Sequence, residues 1–302
     1  MPALFPKSPR MHVVARAYLL STCNKAISAL SNRGLGRSRL AEAIAEFFIP
    51  RLAKDLVEVQ GHQMFLDSID TLHLRTNGIF EPLETELVAK EVKEGDFVLD
   101  IGANIGYYTL ILARLVGPKG RVFAFEPDPD NFALLKANVI LNDYRNVILV
   151  RKAVGDRDEL AKLYLSEDNK GDHRLYDSQD GRSSIAVECV RLDSYFQYYT
   201  GKIDFIKMDI QGGEWAAVQG MRTLLQRFKN VRMITEFWPI GLRRFGVEPE
   251  EYLRLLQNHG YSLYNVDEQS RTIEPVQAEQ LLQAYNPDVE LSFTNILCRR
   301  DE

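Results

Sequence analysis

The sequence predicts an α/β fold built on a mostly parallel, doubly wound sheet. Short apolar runs alternate with helical segments from residue 81 onward, the spacing of right-handed strand–helix–strand units. One such run ends in Asp100 and passes through a glycine turn directly into a helix. The next ends in a second acid, Glu126, 26 residues later.

The chain has 302 residues, which suits one α/β domain of about 200 residues plus an appendage. Its hydrophobic share of 45% and charged share of 26% are those of an ordinary globular protein, and its net charge of −5 argues against a general nucleic-acid binder. Cys23, Cys189 and Cys298 are widely spaced and form no C-x-x-C pair. That fits a reducing, cytoplasmic setting better than a disulfide framework. No apolar stretch approaches the ~20 residues of a transmembrane helix, and no clear signal peptide is present.

Residues 1–56 form a basic arm. Lys7, Arg10, Arg16, Lys25, Arg33, Arg37, Arg39 and Arg51 face only Glu42 and Glu46 within its first 51 residues. "MHVVARAYLLSTCNKAISAL" and "RSRLAEAIAEFFIPRLAKDL" read as two helices separated by "SNRGLG". The arm is either a support packed on the main domain or a peripheral contact for a membrane or protein partner. Residues 57–76 form a short β connection, with two strands around Gly61-His62 in "VEVQGHQMFLD". Residues 77–302 form the main domain.

In that domain "EPLETELVAKEV" (81–92) reads as an entering helix. "FVLDI" (97–101), "RVFAFE" (121–126) and "VILVRKAV" (147–154) read as buried strands, with helices at 107–116 and 129–142 between them. "KLYLS" (162–166) and "SIAVECV" (184–190) are further strands flanking a polar loop. "IDFIKM" (203–208), a helix over 214–228, "VRMITEF" (231–237) and a helix over 249–260 continue the alternation. Strands at 261–267 and 291–300, with a helix at 276–285 between them, close the chain.

The strongest signal is "VLDIGANIGYYTL" (98–110). Gly102 and Gly106 make a turn against which a ligand can lie, since no Cβ stands in the way. Glu126 at the next strand end is placed to accept hydrogen bonds from ribose hydroxyls. Asn104 takes the place of the middle glycine of G-x-G-x-x-G, and no G-K-[ST] follows, so the turn is neither a dinucleotide fingerprint nor a P-loop. Asp100 suits a cation. S-adenosylmethionine, with adenosine, an ammonium and a sulfonium, fits better than NAD.

The linked segments "VLDIGANIGYYTL", "VFAFEPDPDNFALLKANV", "KAVGD", "IDFIKMDIQGGE" and "ITEFWP" resemble the FkbM-type methyltransferases over about residues 77–299. The resemblance implies a class I methyltransferase, Rossmann-like fold with a seven-stranded sheet whose last strand is antiparallel. It implies S-adenosylmethionine as cofactor. Asp100, Gly102, Asn104 and Gly106 match the cofactor loop. Glu126 matches the ribose acid, with Pro127 and Asn131 beside it. Ala153, Val154 and Asp156 take the adenine-lining position. Glu81 and Thr85, in "FEPLET", lie in the segment that folds over the cofactor, and Asp209 borders it.

A hydroxyl acceptor needs a group to take its proton. Asp209 ends a core strand, where open α/β sheets place ligands, and Glu214 follows within one helical turn. Each reads either as an acceptor-side acid or as a stabiliser of the following helix N-terminus. Glu236 ends the next strand on the same rim. His173, in the loop, is either a further candidate base or a solvated loop histidine; Gln211 is a candidate acceptor contact, as are Arg174, unless it pairs with Asp172 or Asp177 of its own loop, and Trp238, unless it simply packs. Gln211 stands where the family pattern often has Glu, which argues against a metal, and none is expected. The reading is O-methylation of a hydroxyl on a small molecule or glycan. Its alternatives are N-methylation of protein or nucleic acid and a non-catalytic module recruited through the arm. A dehydrogenase is disfavoured by the broken G-x-G-x-x-G.

Overall fold

The computed structural model describes residues 9–32 and 55–300. Strands run in chain order as β1 (Leu56–Val59), β2 (His62–Phe65), β3 (Phe97–Ile101), β4 (Arg121–Phe125), β5 (Val147–Val150), β6 (Ala153–Val154) and β7 (Glu159–Tyr164). They continue as β8 (Ser184–Val190), β9 (Phe205–Met208), β10 (Arg232–Phe237), β11 (Ser262–Asp267), β12 (Thr272–Pro275) and β13 (Thr294–Arg299).

The main sheet has the order β12-β11-β13-β10-β9-β3-β4-β5. β10, β9, β3, β4 and β5 pair in parallel, and β13 inserts antiparallel between β10 and β11. The last strand, β13, is antiparallel as expected, but the sheet has eight strands against the seven expected. β12 adds an eighth at the edge, paired with β11 across a short turn. It escaped the sequence reading because it is four residues long and ends in Pro275, a residue that a sheet edge tolerates.

Successive residues of the inner strands feed opposite faces, as the two-residue strand period requires. Leu99, Phe123 and Ile206 join one apolar cluster, which Tyr252 and Leu256 cover. Val98, Val122 and Phe205 join the other, under Leu110 and Leu112. From β3 the chain steps outward through β4 and β5, then returns to place β9 and β10 on the other side. The switch between β3 and β9 opens a crevice at the strands' carboxyl ends.

Two expected elements break in ways that shape this crevice. The strand expected over 147–154 stops after Val150, and β6 leaves the main sheet to pair with β8 in a three-stranded sheet, β6-β8-β7. The helix expected over 214–228 splits into Glu214–Gln219 and Arg222–Arg227. Gly220, at the break, lies so close to the chain after β6 that an added Cβ would stand 1.9 Å from the Gly155 carbonyl oxygen.

Of the arm, the helix Pro9–Asn32 is described, whereas the helix expected over 37–56 lies outside the described residues, apart from the turn and strand that begin at Asp55 and Leu56. Ala17 and Leu20 pack with Phe65, Ala137 and Leu141. The Arg16 guanidinium sits 4.9 Å over the Phe65 ring, and Lys25 pairs with Asp143 at 2.6 Å. This helix is thus packed on the helix Pro129–Leu141, while Tyr18 and Leu19 on its other side are exposed. Among the described residues, no helix is long and apolar enough to cross a membrane.

Candidate active site

A cavity opens at the carboxyl ends of β3, β4 and β9. Its wall includes Asp100, Gly102, Asn104, Glu126, Pro127, Asn131, Ala153, Val154, Asp209 and Gln211. These residues, scattered over more than a hundred positions, meet because the parallel strands end together at the switch point. The loop 167–183 closes the other side with Asn169, Lys170, Gly171, His173 and Leu175.

The turn after β3 is held by its neighbours. The Gly102 and Ala103 N–H groups donate to the Phe125 carbonyl at 3.0 and 2.9 Å. A Cβ at Gly102 would stand 1.9 Å from the Asp209 carbonyl oxygen, and its φ is +84°. Gly102 therefore lets two backbone loops touch, which differs from the ligand clearance read from the sequence. Gly106 precedes the helix Tyr107–Val116 with φ 98° and does not line the cavity.

Asn104 adopts φ 49°, an uncommon left-handed conformation for a side chain that carries a Cβ. That strain aims its N–H at Glu126, whose Oε2 accepts it at 2.8 Å while Oε1 accepts the Asp128 N–H at 2.8 Å. Burial pushes the Glu126 carboxyl up to about 8, against the pull of those N–H donors. Asn104 Oδ1 is buried without a hydrogen-bond partner. Burial likewise raises Asp100 to about 6, opposed by the Thr109 hydroxyl it accepts and by Lys207.

Lys207 is the main residue that the sequence reading passed over. Only 2% exposed, it lies inside β9, and its Nζ is 3.0 Å from Glu84 Oε1 and 4.8 Å from the centroid of the Tyr108 ring. Burial lowers its proton affinity, but the carboxylates of Glu84, Asp209 and Glu81 outweigh that and keep it charged. The available signal was a lysine in an otherwise apolar core strand, because a buried charge requires a partner. Tyr107 and Tyr108 also line the cavity. Glu81, at φ 42°, accepts from the Tyr108 hydroxyl at 3.3 Å. Thr85 donates to the Phe80 carbonyl at 2.8 Å. Glu81 and Thr85 support the cavity from behind its wall. Asp156 lies on another face, beside Trp215 and Gln219.

Asp172 ties the loop to itself. Arg174 donates to both its oxygens at 2.7 and 2.9 Å, and Arg182 adds a bond at 2.7 Å. Arg174 is 4% exposed and stacks 4.7 Å from the Trp238 ring centroid, while Trp238 Nε1 donates to the Glu290 carbonyl at 2.7 Å. Both residues lie off the cavity wall. His173 lies on it, and its Nδ1 accepts the Ser166 N–H at 3.0 Å. The neutral ring therefore carries its proton on Nε2 and offers a donor. Burial, aided by Lys170, lowers its proton affinity against the pull of Asp128.

The acid edge forms where β9 and β10 end. Gln211, at φ 56°, donates from Nε2 to Asp209 Oδ1 at 2.8 Å. Glu214 Oε1 accepts the N–H groups of Ile210 and Gly212 at 3.0 and 3.3 Å, so Glu214 rather than Asp209 ties the loop to the helix start. Glu236 is buried at the end of β10. Burial pushes Glu214 to about 7, and burial with the charges of Asp209 and Glu214 raises Glu236 well above the usual range.

Residues 100–263 match the model of the methyltransferase FkbM domain, more than half of the chain. This chain belongs to the FkbM methyltransferase family. Among relatives, the methyltransferase sdnD of Sordaria araneosa is 27% identical over 180 residues, 49% of this chain and 68% of that protein. The hexuronic acid methyltransferase AglP of Haloferax volcanii is 27% identical over 176 residues, 56% of this chain and 65% of that protein. The 31-O-demethyl-FK506 methyltransferase FkbM of Streptomyces tacrolimicus is 48% identical over 50 residues, 17% of this chain and 19% of that protein. The match thus spans about two thirds of the first two relatives and about a fifth of the third.

The cofactor of an FkbM methyltransferase is S-adenosylmethionine, and the cavity fits it. The buried Glu126 oxygens each hold one N–H and retain a lone pair for a ribose hydroxyl. The Asn104 Oδ1 lacks a donor, which a bound ligand can bring. Asp100 and Asp209 supply negative charge for a cation.

Proposed function

We propose that this FkbM-family chain transfers a methyl group from S-adenosylmethionine to a hydroxyl oxygen of a small molecule or glycan. Bound S-adenosylmethionine supplies the methyl group already activated on a sulfonium. The chain's own residues bind, orient and take a proton. Glu126 and Asn104 receive the adenosine portion, with Ala153, Val154 and the Nε2–H of His173 around it. The loop 167–183 excludes water from above, which favours transfer over hydrolysis. Asp209 is the proton acceptor of the reading, as the acid of the edge that faces the cavity. Gln211 fixes its Oδ1, so that its orientation is set before the acceptor arrives.

The observation that carries the reading is the meeting, in one cavity, of the Asn104–Glu126 adenosine cradle with the Asp209 carboxylate. The relative named a 31-O-demethyl-FK506 methyltransferase supports transfer to oxygen, and the one named a hexuronic acid methyltransferase supports a sugar-type acceptor. Two measurements test it. Calorimetry is expected to show micromolar-scale binding of S-adenosylhomocysteine. A screen of hydroxyl-bearing glycosides and small molecules with isotopically labelled cofactor is expected to yield a labelled ether. No cofactor binding, or methyl transfer confined to nitrogen, defeats the reading.

A further inference from the structure

We propose that Asp209, Glu214 and Glu236 hold one hard divalent cation at the acceptor edge of the cavity. The three carboxylates come from three elements: the end of β9, the first turn of the following helix, and β10. One oxygen of each lies within 4.8 Å of the others. A single ion bonded to each at about 2.1–2.4 Å bridges such a spacing with little movement.

A second observation points to a ligand there. Glu214 Oε2 and Glu236 Oε2 are both shut away from solvent and have no hydrogen-bond partner. Glu214 is fully buried and Glu236 is 8% exposed. Glu214 already uses its other oxygen on two loop N–H groups, so Oε2 is the buried oxygen left without a partner. Gln211 holds Asp209 Oδ1 and leaves Oδ2 for another partner. The buried ammonium that reaches this region, Lys207, is taken by Glu84 at 3.0 Å. Buried carboxylate oxygens that lack a hydrogen-bond donor are what a buried cation satisfies.

Gln211 argues against a metal in the sequence because it removes one acid from the loop. Folding supplies the missing acid from the neighbouring strand as Glu236. The donor set is oxygen only, which selects Mg2+, Mn2+ or Ca2+ over softer ions. On the proposed acceptor-side reading, on which this role rests, the ion faces the cavity through Asp209. It would hold the acceptor hydroxyl and lower its pKa, so that Asp209 need not act on an unactivated alcohol.

The test is a Mn2+ titration of the chelator-treated full chain, followed by the electron paramagnetic signal of free Mn2+, with Mg2+ as competitor. Calorimetry with S-adenosylhomocysteine runs on the same samples. The expected result is one Mn2+ bound per chain, displaced by Mg2+, and weakened at least about tenfold by Glu236→Gln. Cofactor-product binding reports that the variant is folded; where Glu236→Gln loses it, Asp209→Asn replaces that variant. A wild-type chain that binds S-adenosylhomocysteine but leaves Mn2+ free overturns the proposal, as does unchanged Mn2+ affinity in a folded variant. Mn2+ binding without S-adenosylhomocysteine binding sustains the cation site and defeats the methyltransferase reading instead.

Discussion

Glu126 offers a direct link between burial and cofactor affinity. In the free protein its carboxyl is pushed up to about 8, chiefly by burial. Ribose hydroxyls donating to its oxygens favour the charged form, so binding must expel a proton wherever the free carboxyl is protonated. Affinity should therefore rise with pH up to the free pKa and level off above it. For a single proton the gain between pH 6.5 and 8 is about fifteenfold. The sign for stability is opposite. The folded pKa lies above the unfolded one, so Glu126 favours folding fully at low pH, and that contribution is lost as pH rises through about 8. The gap from the ordinary 4.5 corresponds at most to about 5 kcal/mol. Calorimetry of S-adenosylhomocysteine binding at half-unit pH steps tests the first part, and thermal melts at the same pH values test the second. Glu126→Gln should flatten both profiles and weaken binding. A wild-type affinity constant within twofold from pH 6.5 to 8, or a Glu126→Gln profile as steep as the wild type, refutes the reasoning.

Gly102→Ala must fit a Cβ where the Asp209 carbonyl stands 1.9 Å away, at φ +84°. It should cost about 3 kcal/mol or more in urea denaturation, with cofactor binding lost as the two loops part. Lys207→Met strands the buried Glu84 carboxylate and should cost about 3–5 kcal/mol, and a Lys207→Met/Glu84→Gln pair should recover most of that loss in thermal melts. Asp172→Ala removes the carboxylate that Arg174 and Arg182 share. Amide exchange over 167–183 should speed up, and S-adenosylhomocysteine binding should weaken, while the main sheet keeps its protection.

The strand and helix order was legible in the sequence because it rests on local patterns: the two-residue period of β3, β4 and β9, the breaker at 117–120, and the turn residues after β3. The meeting of Asp100, Asn104 and Glu126 in one cavity was legible for a related reason. Asp100, Asn104 and Glu126 sit at strand ends and first turns, so the topology carries them to one crevice. What was not legible depends on packing between distant segments. The helix break at Gly220 is set by the Gly155 carbonyl, about 65 positions away in sequence. Lys207 read as one more core residue, since its partner Glu84 lies on a helix far upstream. For Trp238 and Arg174 the sequence left packing and pairing with Asp172 open beside an acceptor contact, and only the fold decides: Arg174 pairs with Asp172 and stacks on Trp238. Glu236 joins Asp209 and Glu214 only through the pairing of β9 with β10.

The central claim is that Asp209 faces a methyl acceptor bound beside the cofactor in this cavity and receives the proton of its hydroxyl. The most direct measurement is single-turnover transfer from methyl-labelled S-adenosylmethionine to a hydroxyl acceptor found by screening, compared between the wild type and Asp209→Asn. The account predicts a labelled methyl on oxygen in the wild type. It predicts a rate lower by roughly 100-fold or more in Asp209→Asn at saturating cofactor, a loss well beyond any weakening of S-adenosylhomocysteine binding. Label appearing on nitrogen, or an Asp209→Asn chain that transfers as fast as the wild type, would contradict it.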